Sequence, residues 1–173
     1  KITVVGGGII GLTTAVLCEL FGRSTQIITK ESLSEHIDDP TPPPQFSTLH
    51  AAASVIPHGY TVPNRKPVLE AALDCFGFLA RTGQVGVRRQ KHYEITEKPV
   101  SEQDRPWYLG LMSDPEILDA ATIRRGAIPH RPDAPRLGGF TYWTYFIEMP
   151  VFLRWLTRIY KTLGGSIRID YIK

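Results

Sequence analysis

Val4-Val5-Gly6-Gly7-Gly8-Ile9-Ile10-Gly11 places a glycine fingerprint directly behind a short apolar run and directly ahead of a helical pattern. A G-x-G-x-x-G match arises readily by chance, so its flanks decide what it means. Ile2, Val4 and Val5 read as a buried parallel strand, and Ile9, Ile10, Leu12, Val16, Leu17 and Leu20 recur at helical spacing until Gly22 stops them. The order is strand, tight turn, helix. In that geometry Gly6 permits the turn, Gly8 lets the backbone approach a pyrophosphate, and Gly11 lets the helix pack close on the strand. The first-turn amides, those of Ile9 and Ile10 among them, then face the phosphates, because the positive end of a helix with unpaired N–H groups attracts an anion without any basic side chain. The plainer alternative is a glycine-rich structural turn.

Working outward, Gln26-Ile27-Ile28-Thr29 reads as a second strand that completes a β-α-β start. An adenosine-ribose site places an acid about 20 residues after the glycines. Here Thr29 and Lys30 stand at the strand tip and Glu31 comes one step late. Either Glu31 reaches the ribose, or Thr29 and Lys30 hold the adenosine end by hydrogen bond and charge, or all three are solvated loop residues.

The 173 residues suffice for a sizeable core, 42% hydrophobic and 21% charged content is ordinary for a globular protein, and no apolar run approaches the roughly 20 residues of a membrane span. The first strand starts at residue 2, which leaves no room for a leader and makes cytoplasmic residence the expectation. A net charge of +3 is spread thinly, with Arg88-Arg89 and Arg124-Arg125 as adjacent basic pairs, so neither nucleic acid nor membrane is an expected partner. Five scattered histidines without H-x-x-x-H spacing give no metal site. Cys18 and Cys75 read as buried thiols.

Asp38 to Pro44 is a polar, proline-rich loop. Ser47-Thr48-Leu49-His50-Ala51-Ala52-Ala53-Ser54-Val55-Ile56-Pro57-His58 follows, whose small side chains let a flat ring approach the backbone closely; a packed helix N-terminus capped by Ser47 or Thr48 is the alternative. Pro67 opens a helix with Leu69, Leu73 and Phe76 on one face, ended by Gly83. Gly86 to Thr96 reads as extended, Tyr93 and Ile95 alternating against His92 and Glu94. Pro115 to Ala121 reads as a short helix. Phe140 to Glu148 is an aromatic, β-branched strand; Pro150 then starts a helix through Leu153, Leu156, Ile159, Tyr160 and Leu163, which Gly164-Gly165 ends before a last strand from Ser166 to Tyr171.

Taken together these stretches resemble the FAD-dependent amino-acid oxidase family, which includes D-amino-acid oxidase and glycine oxidase. Residues 4 to 15 are similar to that family's FAD fingerprint and His50 to Pro57 to its flavin-side loop. Phe140 to Glu148 with Phe152-Leu153-Arg154-Trp155-Leu156 resembles its substrate-domain strand and returning helix, and Gly164-Gly165-Ser166-Ile167 the turn and strand that lead back to the FAD domain. The resemblance implies an α/β chain: a Rossmann-like FAD-binding domain whose first part is residues 1–66, an interleaved α+β substrate domain with an antiparallel or mixed sheet over residues 67–163, and a strand at 164–173 returning to the first. It implies non-covalent FAD and oxidative deamination of a D-amino acid, glycine or N-substituted glycine: hydride passes from the α-carbon to flavin, the imine hydrolyses to a 2-oxo acid, and oxygen becomes hydrogen peroxide.

Carried over by position, Gly6, Gly8 and Gly11 would hold the pyrophosphate, Ser47 and Thr48 the phosphate and ribityl side, Ala52, Ala53 and Ser54 the ring, while Ile56 and His58 would border the substrate. Ile56 offers no charge for a side-chain carboxylate, so an acidic substrate is disfavoured. The family's carboxylate-binding arginine and tyrosine would come after residue 173, so no catalytic residue is assigned, and the rest of the polypeptide or a second chain is an expected partner. A homo-oligomer is compatible with these residues. A non-catalytic dinucleotide-binding or assembly chain is the reading from a different class, and a nicotinamide dehydrogenase a third.

Overall fold

β1 (Ile2–Val5), α1 (Ile9–Leu20) and β2 (Thr25–Thr29) form in the order the glycine fingerprint demands. In this computed structural model, which describes residues 1–30, 47–51, 53–57, 63–126, 128 and 137–171, there follow α2 (Ser47–His50), β3 (Ala53–Ser54), α3 (Arg65–Thr82), β4 (Val87–Thr96), β5 (Ser113–Asp119), α4 (Ala120–Arg125), β6 (Gly138–Ile147), α5 (Met149–Thr162) and β7 (Ser166–Ile169). Two 3-10 turns, Glu102–Asp104 and Leu109–Leu111, lie between β4 and β5. The chain divides into two compact units: Lys1–Ala53 with Thr82–Val87 and Ile147–Lys173, and Ser54–Arg81 with Arg88–Phe146.

The first unit is built on a parallel sheet in the order β1-β2-β7, with Val4 opposite Ile27 and Ile27 opposite Ile167. α1 turns Leu12, Ala15 and Val16 inward at helical spacing. It stops where Gly22 takes a left-handed φ of +71° and donates to the Glu19 carbonyl at 2.9 Å. α5 packs against α1 and buries Met149, Phe152, Leu153, Leu156 and Tyr160. Leu12, Leu153 and Leu156, all at most 4% exposed, each contribute about 2 kcal/mol of burial free energy.

A polar relay ties these layers together. The Thr25 hydroxyl and amide both donate to the Glu19 carboxylate at 2.6 Å, which holds Glu19 below the usual carboxylate range. The same hydroxyl lies 3.0 Å from that of buried Tyr160, which donates to the Ser166 carbonyl at 3.1 Å. A Cβ at Gly165 would run into the Tyr160 ring, so only glycine lets the chain turn from α5 into β7 here.

The second unit carries a sheet ordered β3-β6-β4, with β5 also pairing antiparallel to β6. Its main core gathers Leu69, Tyr108, Leu109, Met112, Phe140 and Tyr142. Glu94 closes this core: its carboxylate accepts the Tyr108 hydroxyl at 2.9 Å and the Tyr142 hydroxyl in a shorter bond. Burial, and then the hydrogen bond to Glu94, push both tyrosine pKa values well above the ordinary range. On the other side of the sheet Arg89 stacks 4.6 Å over Trp143 and donates to Ser113 at 2.9 Å.

Several expectations are corrected. β1 is parallel but not buried: Val5 is 68% exposed, because β1 is an edge of the sheet among the described residues. The segment from Pro115 is not helical. Residues 113–119 form β5, whose register shifts between Ser113 and Glu116, so the proline sits at an irregularity where its missing N–H does no harm. The helix begins only after Asp119, whose carboxylate caps the Thr122 amide at 2.7 Å. On β4 the tyrosine-bound Glu94 and half-buried His92, 5.2 Å from the Tyr142 ring, face inward, while Tyr93 is 42% exposed. By contact, α5 falls in the first unit. Cys75 is exposed rather than buried. The loop expected at 38–44 lies outside the described residues.

Candidate functional site

The glycine turn between β1 and α1 opens on a cleft of about 660 Å³ within the first unit. Each glycine serves a different physical need. Gly6 has a φ of +100°, a conformation that side chains strain to adopt, and its amide is pinned to the Ile28 carbonyl at 2.8 Å. Gly8 is in ordinary extended geometry, φ −73° and ψ −176°, so its need for glycine is one of space: an added Cβ would lie 2.7 Å from Thr48 Oγ1. A Cβ at Gly11 would collide with the Gly6 carbonyl oxygen, and Val4 Cγ1 would stand 3.5 Å away. The helix therefore starts as close to the strand as backbone allows.

That start is open to a ligand. α1 has no side-chain cap and no acidic residue in its first turn. The amides of Ile9, Ile10 and Gly11 precede the first intrahelical bond, which Leu12 makes to the Gly8 carbonyl at 3.0 Å. The Ile9 amide donates to Thr48 Oγ1 at 3.4 Å, a long bond. Among the described residues no charged side chain lines the cleft, and what they offer an anion there is backbone dipoles.

Ser47, Thr48, Ala51 and Ala53 line the cleft with Gly6, Gly8, Ile9, Ile10 and Gly11. Thr48 and the glycine fingerprint thus meet, 39 residues apart, at the Ile9 to Thr48 contact. Thr14, Ile147 and Met149 also line it and are not among the sequence candidates; Thr14 is legible in hindsight, lying three residues from Gly11 on one helix face. Ser54 and Ile56 belong to the second unit, where the amide of Val55 and the Thr144 hydroxyl tie this segment to β6 at 2.9 and 2.7 Å. Glu31, Ala52 and His58 lie outside the described residues.

A second cleft, about 240 Å³, shares Val5 and Gly6 and is walled by Ile28, Thr29, Lys30, Asp170 and Tyr171. It sits at the carboxyl ends of the three parallel strands, where such sheets bind nucleotides. Thr29 and Lys30 were expected there; Asp170 and Tyr171 were not.

Residues 1–170 match the family described as FAD dependent oxidoreductase. The chain belongs to this FAD-dependent oxidoreductase family. It is 28% identical to a D-aspartate oxidase from Talaromyces thermophilus, over 96% of this chain and 48% of that protein. The iminodiacetate oxidase of Chelativorans sp. BNC1 superimposes with a TM-score of 0.65 at 18% identity, over 99% of this chain and 47% of that one. The glycine oxidase of Bacillus cereus ATCC 14579 does so with a TM-score of 0.60 at 18% identity, over 96% and 45%. The chain spans about half the length of the D-aspartate oxidase it matches. The structural likenesses establish a shared mixed α/β fold, with parallel and antiparallel sheets.

FAD is the cofactor of this family, and the residues fit it. A glycine at φ +100°, a second glycine with no room for a Cβ, and an uncapped helix start make a cradle for a pyrophosphate.

Proposed function

We propose that this chain supplies the FAD-holding part of an amino-acid oxidase that takes a D-amino acid, glycine or N-substituted glycine, makes the imine and then the 2-oxo acid, and passes the electrons to oxygen as hydrogen peroxide. The observation that carries it is the junction of the Gly6 to Gly11 turn with Thr48 in one cleft, in a chain of this family. The amides of Ile9, Ile10 and Gly11 would hold the pyrophosphate, Ser47 and Thr48 the phosphate and ribityl hydroxyls, and Ala52 and Ala53, whose methyls leave space, the flavin side. Thr29, Lys30 and Glu31 would frame the adenosine end. Ser54 would border the ring, and Ile56 and His58 the substrate. FAD supplies the hydride acceptor; the protein supplies position and a field around it. The second unit, interleaved in sequence between parts of the first, is read as part of the substrate domain.

An acidic D-amino acid is the second reading, favoured by the D-aspartate oxidase relative and opposed by the uncharged Ile56. The test is hydrogen peroxide released by the purified full-length protein with FAD on D-alanine, glycine, N-methylglycine and D-aspartate. Peroxide from any of them supports the oxidase, and the ranking of D-aspartate against D-alanine decides between the readings. A protein that binds FAD yet releases no peroxide from any amine would refute the activity and favour the non-catalytic chain.

A further inference from the structure

We propose that the outward face of α3 is the seam of an antiparallel dimer, its occupant a second copy of this chain. The proposal is independent of the cofactor and stands on the second unit alone.

α3 has two unlike faces. Leu69, Gly77 and Leu79 are buried, and Leu73 packs on the core that holds Tyr108 and Tyr142. The opposite side carries Val68, Ala71, Cys75 and Phe78, all exposed, Val68 by 48% and Phe78 by 61%. Their spacing of three, four and three residues is that of the a and d positions of a heptad, so they form one apolar seam along the helix. Phe78 is the large ring of that seam, and the small Ala71 and Cys75, one turn apart, leave a gap beside it. A helix cannot fold its own Phe78 into that gap. A second α3 running the opposite way can place one there.

The charges favour a second copy over any other occupant. Glu70 and Asp74 stand four residues apart on one flank of the seam, a like-charged pair that weakens an isolated helix. Arg81 lies on the same flank seven residues beyond Asp74, about 10 Å along the axis and too far to serve it. Among the described residues none of the three makes an ion pair. In a two-fold antiparallel pair each flank meets its own copy reversed. With the two-fold axis passing between Cys75 and Phe76, Phe78 sits level with the gap between the partner's Ala71 and the partner's Cys75. Arg81 then sits level with the partner's Glu70 and about 6 Å along the axis from the partner's Asp74, within reach of its long side chain. Both contacts occur twice. A parallel pair in register would leave Arg81 at least about 10 Å from either acid along the axis.

The experiment uses purified full-length protein with FAD added, followed by sedimentation velocity over a concentration series and by a short bismaleimide whose crosslinked peptides are mapped. The expected result is a dimer that weakens with salt, and a Cys75-to-Cys75 crosslink that is lost in Cys75→Ser. Phe78→Asp and Arg81→Glu, both at exposed positions, should each weaken association roughly tenfold or more while far-UV circular dichroism is unchanged. Adding Glu70→Arg and Asp74→Arg to Arg81→Glu reverses every charge of the flank and should restore the dimer, which a merely damaged fold would not do. A monomer at every concentration overturns the proposal, and one whose Cys75 is also inert to maleimide assigns the face to the rest of the polypeptide instead. A dimer that either single substitution leaves intact, or that the charge reversal fails to restore, overturns it as well.

Discussion

Gly11→Ala isolates the physics of the fingerprint, because two effects of opposite sign meet there. Alanine is the better helix former by about 1 kcal/mol, so the substitution in the first turn of α1 would stabilise an unobstructed helix. Here the new methyl would overlap the Gly6 carbonyl oxygen, a backbone atom. Gly6 cannot swing away freely, since its φ of +100° and its amide bond to the Ile28 carbonyl at 2.8 Å fix it. Overpacking against fixed atoms costs about 1–3 kcal/mol. After the propensity gain, a net loss of up to about 2 kcal/mol remains, or a fall of up to about 4–8 °C in Tm for a folding unit of roughly 170 residues. Moving the helix start off the strand also displaces the amides of Ile9 and Ile10, so FAD affinity falls with stability. Thermal unfolding of the apoprotein and a flavin titration read the two effects separately. A variant about 1 kcal/mol more stable than the wild type, with FAD affinity intact, would refute the close contact and leave the glycine merely permissive.

Gly8→Ala should behave differently: its φ of −73° suits alanine and the obstacle is the movable Thr48 hydroxyl, so Tm should hold within about 2 °C while FAD affinity drops in titration. Gly165→Ala drives a methyl into the buried Tyr160 ring and should cost about 1–3 kcal/mol in urea unfolding. Tyr142→Phe removes a donor to the Glu94 carboxylate and should cost about 1.5–3 kcal/mol. Because both tyrosines titrate above their ordinary value of 10.0 in the folded state, the stability they add is fully present below pH 10 and lost as pH rises beyond it. Unfolding free energy measured from pH 8 to pH 11 should fall at the alkaline end in the wild type and less steeply in Tyr142→Phe.

What the sequence made legible was local. Gly6, Gly8 and Gly11 announce a turn because their demands involve atoms within a few residues, and Pro150 and Gly164 mark the ends of α5 for the same reason. What it hid depends on distant partners. Residues 113–119 have a helical look from Pro115 onward, and only pairing with β6 makes them a strand. Glu94 reads as the solvent side of an alternating strand; its partners Tyr108 and Tyr142 are 14 and 48 residues away. The resemblance puts Ser47 and Thr48 on the phosphate and ribityl side of FAD; that Thr48 meets Ile9 at the glycine turn depends on a contact across 39 residues that local patterns do not announce. Asp170 was within reach of sequence reasoning, since a last parallel strand must present its carboxyl end beside those of β1 and β2.

The most direct test of the central claim is the visible absorption spectrum of the purified full-length protein, before and after incubation with FAD. The account predicts the blue-region bands of bound oxidised flavin, which bleach when a D-amino acid or glycine derivative is added without oxygen. A protein that remains colourless after incubation with excess FAD would contradict it.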